Sequence, residues 1–221
     1  MRPFVVEEAP GVFGVEVAGE RLVATHGGQP LRVWSAELAA AIAEELRYKV
    51  PGSSALCFYT LASAEIDVVR GIAPYDARER IFEVLERDLG GLCASRARDE
   101  VVMAHVAAYW MASQATVPDA KELTRAHLTR SLWERVRLAA PPVVAVLWDA
   151  IHRPILAVLP LLFGLPPSGT LLFRGILELR LSMRMPLGVP VREVDALMAV
   201  RHVYPKYVEL GGVGGLHVVR G

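Results

Sequence analysis

The sequence has few of the residue patterns that hold a metal ion, a nucleotide or a disulfide framework. It contains two cysteines, Cys57 and Cys93, which lie too far apart for a redox CxxC motif or a zinc knuckle, and we interpret both as reduced core thiols. The six histidines are scattered singly without an HExxH motif, and neither GxGxxG nor GxxxxGK[ST] occurs. We therefore predict no metal site, no bound cofactor and no catalytic residue.

A net charge and a visible targeting segment are also absent. Lys plus Arg and Asp plus Glu are equal at 24 each, so no overall basic field attracts nucleic acid, and we predict no nucleic-acid partner. The first residues, MRPFVVEEAPG, form neither the apolar run of a signal peptide nor an Arg-rich amphipathic presequence. Either targeting is not encoded here, or a presequence has been removed before residue 1.

Apolar residues, in contrast, are abundant. They make up 53% of the chain and the mean hydropathy is +0.34, which predicts that some apolar surface contacts a partner or a membrane. The most apolar stretch is PPVVAVLWDAIHRPILAVLPLLFGLPP, from Pro141 to Pro167. Because prolines interrupt it, we favour a kinked, buried helix. An interfacial or membrane-touching segment is the alternative.

The hydrophobic pattern divides the chain into a β part and a helical part. Residues 4–34 carry short β-branched runs separated by turn residues such as Pro10-Gly11 and Gly27-Gly28, which is typical of a small antiparallel sheet. From Ser35, a predicted N-cap, apolar residues recur at helical spacing. The predicted fold class is α+β, with a small β-rich N-terminal domain at 1–34, a larger all-helical domain at 35–210 and a Gly-rich tail at 211–221.

Three of the predicted helices have testable faces or bounds. The helix after Ser35 is expected to pack through four apolar residues, Leu38, Ala41, Ile42 and Leu46. A second helix is predicted over residues 59–69. A third opens with a capping box at Asp76 and Glu79 and ends at Gly90-Gly91.

The Gly27-Gly28 pair raises the question of a phosphate-binding turn. A backbone cradle for phosphate requires glycines between a strand and the N-terminus of a helix. Here HGGQPL runs into a second strand-like stretch, so we interpret the pair as the corner of a scaffold. The GGVGG segment at 211–215 follows a predicted helix and is interpreted as a flexible linker.

Two stretches of the sequence resemble a known family. GVFGVEVAGERLVATHGGQPLRVWSAELAAAIAEEL, residues 11–46, is similar to the N-terminal signature of the ATP synthase assembly chaperones that bind the alpha subunit of the catalytic head. That signature has a DGR turn, an RTPxGxPL strand pair and a helix close to ALAxAIAxEW, and the matching residues are Thr25, Gly28, Pro30-Leu31 and Ala41-Ile42-Ala43. FYTLASAEIDVV, residues 58–69, resembles the family's LTRLANTAIDxV through Leu61, Ala62, Ile66 and Asp67.

The resemblance is strong over residues 11–69, thin over the rest, and departs from the family in the last helix. There the family carries an acidic LDExWQ segment whose carboxylate is implicated in binding the client subunit. Here the corresponding LMAVRHVYPKYVELGG, residues 197–212, has Arg201, His202 and Val203 where acids are expected. Reversing the local charge turns attraction for a basic client surface into repulsion.

The resemblance and this departure together imply a non-catalytic protein-binding or structural module. We favour a stable accessory subunit on the matrix side of the mitochondrial inner membrane, a location implied by the resemblance alone. The alternative is a genuine assembly chaperone for the alpha subunit. The expected partners are protein subunits of ATP synthase or of another respiratory complex, with peripheral lipid contact as a further option. The candidate partner-binding residues are Arg201, His202, Tyr204, Lys206, Leu156, Leu159, Leu162 and Phe163.

A small-molecule enzyme is a remote alternative. Asp149 and His152 share a helical face at positions i and i+3, and His105 with Tyr109 is the other candidate pair. Either pair would have to converge with a nucleophile or a ligand. The spacing of the sequence predicts no such partner.

Overall fold

Strands lie near the N-terminus and helices follow, so the predicted α+β fold class is confirmed. The computed structural model describes residues 2–17, 22–48, 58–71, 74–92, 125–152 and 202–214. The strands are β1 (Pro3–Ala9), β2 (Val12–Val17) and β3 (Arg32–Val33). The helices are α1 (Ala36–Tyr48), α2 (Phe58–Ala64), α3 (Pro74–Leu92), α4 (Arg125–Leu138), α5 (Pro141–Ile151) and α6 (Tyr204–Glu209), and a π-helical turn (Glu65–Val69) extends α2.

The strands form one antiparallel sheet in the order β1-β2-β3. β1 and β2 make a hairpin in which Val5 lies opposite Val15. Gly11 in the connecting turn has a φ of 75°, a conformation that glycine adopts without a steric cost. Phe13 pairs with Val33 of β3, and two isolated bridges join the intervening chain to the same meander. The predicted antiparallel meander is therefore confirmed.

Ser35 caps α1 as predicted, because its Oγ accepts a hydrogen bond from the Leu38 amide at 3.1 Å. The buried face of α1 differs from the prediction, since Ala41 and Leu46 are only half-buried. Leu38 and Ile42 are buried as predicted, and Ala39 and Ala43 are buried with them. α1 packs against β1, β2 and α2, and these neighbours decide which of its residues are buried.

The helix predicted over 59–69 is present, but it changes geometry along its length. At its start the Glu45 carboxylate accepts hydrogen bonds from the amides of Phe58 and Tyr59 at 3.0 and 3.2 Å. A carboxylate at this position stabilises the positive end of the helix. From Glu65 the backbone widens into the π-helical turn, a geometry that frequently marks functional positions.

α3 has longer bounds than the sequence predicts. It begins at Pro74, so Asp76 lies in its first turn and is not the N-cap. Proline is favoured at the first helical position, which explains the earlier start. The helix also continues through Gly90-Gly91 to Leu92, although glycine in a helix interior costs about 1 kcal/mol relative to alanine.

The chain divides into two compact units. The first comprises Met1–Ala77, Ala140–Asp149 and Val191–Gly221, and the second comprises Arg78–Ala139 and Ala150–Pro190. The sheet and α1 thus share one unit, whereas the sequence predicts a boundary after residue 34. The reason is that α1 buries its apolar face directly on β1 and β2, so both belong to one core.

The described residues of the second unit lie in α3 from Arg78 onward, in α4 with Ala139, and from Ala150 to His152. The apolar side chains Ile81, Leu85, Leu132 and Val136 are buried, and the Phe82 and Trp133 rings meet edge to face at 5.2 Å. Arg78 Nη2 donates to the Ala139 carbonyl at 3.0 Å. The guanidinium thereby supplies a hydrogen-bond donor to a carbonyl group at the C-terminal end of α4. Partial burial of the guanidinium lowers the pKa of Arg78.

The apolar stretch from Pro141 to Pro167 is described only over α5 and the residue after it. α5 buries Val144, Ala145, Leu147 and Ala150, while Val143 is half-buried. Within the described ranges, no helix combines the length and the apolar character needed to cross a membrane. The part of the stretch after His152 lies outside the described residues.

Candidate functional site

The π-helical turn presents two carboxylates to distant parts of the first unit. Asp67 reaches the N-terminal meander, and Glu65 reaches the C-terminal segment. We call this arrangement the carboxylate hub, and it consists of Thr25, Gly27, Glu65, Asp67, Arg70, Tyr207, Gly212 and Val213. Because both carboxylates lie on one turn, the hub joins the corner of the N-terminal meander and the C-terminal segment to the same helix.

The Asp67 carboxylate is held by the corner of the meander. The Thr25 hydroxyl donates to Oδ1 at 2.5 Å and the Gly27 amide donates to Oδ2 at 2.8 Å. The Thr25 oxygen also accepts a hydrogen bond from the Gln29 amide at 3.0 Å. Hydrogen bonds to an ionised acceptor are stronger than neutral ones, so the corner binds an anion, and that anion is a side chain of the same protein.

Glycine is required at the corner for two different reasons. A Cβ added at Gly27 would lie 2.8 Å from Asp67 Cγ, so a side chain there would push the carboxylate away. Gly28 has a φ of 81°, and its amide donates to the Thr25 carbonyl at 3.0 Å, which closes the turn. The prediction that Gly27-Gly28 forms a scaffold corner agrees with this geometry.

Tyr59 adds a second contact between α2 and the corner. Its hydroxyl donates to the Ala24 carbonyl at 2.7 Å, and its ring meets the His26 imidazole edge to face at 4.9 Å. Edge-to-face pairs of this kind add to the stabilisation from burial. The meander is thus held by a polar and an aromatic contact from the same helix.

Glu65 is fully buried and accepts four hydrogen bonds. Arg70 donates to Oε1 through Nη2 at 2.7 Å and through Nε at 2.9 Å. The Tyr207 hydroxyl and the Val213 amide donate to Oε2 at 2.8 and 3.3 Å. A buried carboxylate is tolerated only when it is paired and hydrogen-bonded in this way, so the C-terminal segment is coupled to the charge of Glu65.

Burial and hydrogen bonding act in opposite directions on the Glu65 carboxyl. Burial raises the pKa of Glu65 above its ordinary value, while the bonds from Arg70 and Tyr207 partly counteract that rise. Burial and the neighbouring Glu65 charge raise the pKa of Tyr207 well above its ordinary value. The Tyr207 phenol is therefore protonated at ordinary pH and acts as a donor.

The raised pKa of Glu65 predicts a specific pH dependence of stability. Because the folded protein binds this proton more tightly than the unfolded chain, the contribution of Glu65 is fully present below its ordinary pKa of 4.5 and is lost as pH rises through the folded-state pKa. Glu65→Gln lacks this titration. We expect the free energy of unfolding of the wild type, minus that of Glu65→Gln, to decrease as pH rises through this window.

Urea denaturation at a series of pH values measures that difference. Glu83→Gln is the surface control, because Glu83 is paired with Arg80 where its side chain is 57% exposed, and it reports how far replacing a glutamate outside the core alters the measured stability. A Glu65 difference that increases with pH would mean that Arg70 outweighs burial, and would contradict the prediction.

Asp67→Asn is expected to destabilise the meander. Both oxygens of Asp67 accept hydrogen bonds, so an amide places one NH2 group against a donor, which costs about 1–3 kcal/mol. Urea denaturation should report this loss, and the Gly27 amide should exchange faster with solvent. Glu7→Gln is the control, since Glu7 also accepts from a glycine amide, that of Gly11, but on the exposed surface. Equal losses in the two variants would contradict the prediction.

The described partner-binding candidates lie on or beside α6, and they differ in exposure. His202 is exposed. Lys206 is partly exposed and pairs with Glu37 at 3.1 Å and with Glu209 at 3.4 Å. Tyr204 is 2% exposed, and its hydroxyl donates to Asp149 Oδ2 at 2.6 Å, so it is a core residue and this candidate is corrected. The remaining candidates lie outside the described residues: Arg201, Leu156, Leu159, Leu162 and Phe163.

The predicted Gly-rich tail begins with packed residues. Gly212 and Val213 are buried, and the Gly212 amide donates to the Tyr207 carbonyl at 3.1 Å. Positive φ angles at Gly211 and Gly212, 77° and 60°, let the chain turn back at the end of α6. The expectation of a flexible linker is therefore corrected for residues 211–214, while residues 215–221 lie outside the described part.

The two residue pairs proposed for a small-molecule enzyme are only partly described, and the members of the described pair differ in burial. Asp149 is buried, at 9% exposure, and His152 is exposed. His105 and Tyr109 lie outside the described residues. In the part of the chain that the structure describes, no three His, Cys, Asp or Glu side chains converge as metal ligands.

No protein-family model matches the chain, and comparisons with curated proteins and with solved structures found no match either. The resemblance to the ATP synthase assembly chaperones therefore stays a prediction based on the residues quoted for it.

Proposed function

We propose that this chain is a non-catalytic protein-binding module with the fold of the ATP synthase alpha-subunit chaperones. In this proposal it serves as a stable accessory subunit of a mitochondrial inner-membrane complex, with ATP synthase as the first candidate. The supporting observation is that the two stretches that carry the resemblance meet in space. Thr25 belongs to the first stretch and Asp67 to the second, and their side chains are hydrogen-bonded at 2.5 Å.

This contact gives residues matched separately a shared physical role. Thr25 and Gly28 of the first stretch form the corner, whose turn is closed by the Gly28 amide on the Thr25 carbonyl at 3.0 Å. Asp67 of the second stretch is the anion that the corner holds. Since the corner and the anion that it holds depend on each other, the two resemblances are better explained by a scaffold shared with the family than by two chance similarities.

The buried carboxylates support a binding role over a catalytic one. Glu65 accepts from Arg70 and Tyr207, and Asp149 accepts from Tyr204. Each carboxylate is therefore committed to hydrogen bonds that hold helices in place. A general acid or base needs a proton that it can exchange with a substrate, which such bonds do not favour.

The preference for a subunit over a chaperone rests on the last helix. Arg201 and His202 stand where the family has acids, and His202 is exposed. Like charges facing a basic client surface weaken a transient chaperone contact. A permanent subunit can instead use a surface of different chemistry.

Native fractionation tests the proposal. The chain, carrying an affinity tag, is expressed in its own cells, and mitochondrial membranes and the remaining extract are solubilised in mild detergent and separated by size. We expect comigration with assembled ATP synthase in a fixed ratio to its core subunits. Comigration with free alpha subunit alone would support the chaperone alternative and contradict the subunit. Comigration with neither would contradict both.

A further inference from the structure

Trp34 is exposed to solvent, although its backbone and one side of its ring contact the C-terminal segment. It is 51% exposed, although its backbone amide donates to the Val213 carbonyl at 3.1 Å. Gly214, with a φ of 98°, packs on the indole so closely that an added Cβ would meet Trp34 Cβ, Cγ and Cδ1. The fold therefore fixes both the backbone and one side of the ring while leaving the rest of the ring in solvent.

The exposed part of Trp34 has the properties of a binding residue. Within the described ranges, no group accepts a hydrogen bond from its indole N–H. Tryptophan is enriched among the residues that dominate binding energy. A side chain that is already ordered loses little conformational entropy when a partner binds, so this ring is prepared for a contact.

A cluster of exposed charged side chains joins α1, which begins two residues after Trp34, to α6. Glu37 follows Trp34 by three residues, and its side chain is 66% exposed. Lys206, at 39% exposure, bridges Glu37 and Glu209, whose side chain is 69% exposed. Within this cluster, two carboxylates against one ammonium leave one surplus negative charge. An exposed aromatic ring next to surplus carboxylate favours a cationic partner.

We propose that Trp34, Glu37, Lys206 and Glu209 form a docking surface for a protein segment that carries an arginine beside an apolar side chain. The guanidinium stacks on the Trp34 ring and donates to the Glu37 or Glu209 carboxylate. The apolar neighbour excludes water from the edge of the ring. This inference rests on the protein-binding part of the proposed function, and it adds the surface and the chemistry of the partner.

Peptide titration of the 15N-labelled full chain tests the chemistry. The probe is acetyl-Leu-Arg-Leu-Arg-Leu-amide, with Gln and Glu analogues as neutral and acidic comparisons, and the readout is the indole N–H signal of Trp34, assigned with Trp34→Phe. We expect the basic peptide to shift this signal, with binding that weakens as salt is added. Trp34→Ala should weaken binding, measured by calorimetry, at least tenfold. Equal binding of the acidic peptide would overturn the proposal.

Two further variants provide a control for Trp34→Ala and an independent test of the charge preference. Tyr48→Ala is the matched control, because Tyr48 is an aromatic residue of the same segment with 77% exposure, and it should leave binding unchanged within about twofold. A loss as large as that of Trp34→Ala would overturn the proposal. If Trp34→Ala does not fold, the double variant Glu37→Lys, Glu209→Lys should exchange the preference from the basic to the acidic peptide. An unchanged preference would overturn the proposal.

Native fractionation separates failure of this surface from failure of the proposed function. If the wild type comigrates with assembled ATP synthase and folded Trp34→Ala does so in equal amount, the docking surface is wrong and the proposed function stands. Loss of comigration in Trp34→Ala but not in Tyr48→Ala supports the surface. If the wild type does not comigrate, the proposed function fails, and the peptide titration alone decides the surface.

Discussion

Replacing Glu65 with alanine is expected to lower the free energy of unfolding by about 3–5 kcal/mol. The carboxylate has no exposed surface, and its partner Arg70 is only 23% exposed. The truncation leaves this guanidinium and the Tyr207 hydroxyl without their acceptor. Removing one partner of a buried pair is costly because the other charge stays desolvated. Urea denaturation followed by circular dichroism measures the loss.

The matched control is an ion pair on the surface of α1. Glu44 pairs with Arg47 at 2.7 Å, but the side chains are 53% and 41% exposed. Glu44→Ala should cost about 0.5 kcal/mol or less, because water screens such pairs. Similar losses for the two variants would contradict the assignment of Glu65 as a buried anchor. If Glu65→Ala does not fold, Tyr207→Phe removes one donor and should cost about 1–2 kcal/mol.

Gly212→Ala should destabilise the protein by about 3 kcal/mol, from two additive causes. The left-handed φ of 60° costs about 1–2 kcal/mol for a residue with a Cβ. The added Cβ would also clash with Glu65 Oε2 and lie 2.8 Å from Pro142 Cγ. Overpacking of a filled site costs about 1–3 kcal/mol. The clash falls on the carboxylate hub, so the Val213 amide should also exchange faster with solvent.

Gly211→Ala separates the two causes. Gly211 has a similar φ of 77°, and a Cβ there meets no atom within 4 Å. This variant should lose only the conformational part, about 1–2 kcal/mol. The difference between the two urea midpoints, converted to free energy, reports the clash. Equal losses would mean that the approach of Gly212 to Glu65 is not tight and would contradict the prediction.

Features that depend on neighbouring residues were predictable from the sequence. The hairpin turn at Gly11 and the Ser35 cap follow from local backbone chemistry. Both are present, with a positive φ at Gly11 and a hydrogen bond from the Leu38 amide to Ser35. The exact inward face of α1 was less predictable, because the burial of a residue such as Ala39 depends on how α1 packs against β1, β2 and α2.

The carboxylate hub was not predicted, although one signal for part of it was present. Glu65 stands among apolar residues in LASAEIDVVR, and a carboxylate among core residues calls for a buried partner. Arg70, five residues on, is such a partner. Tyr207 could not be assigned, since 142 residues separate it from Glu65 and a glutamate alone does not specify which distant donor it meets.

The α+β class, the meander, the start of α1 and the glycine corner follow from local signals, because turns, caps and hydrophobic periodicity act over a few residues. What the corner holds and where the C-terminal segment lies depend instead on contacts between residues that are distant in the chain. Asp67 fills the corner from 40 residues away, and Val213 closes over Glu65 from 148 residues away. Such contacts form when burial makes each unpaired polar group costly, and burial is a property of the whole fold.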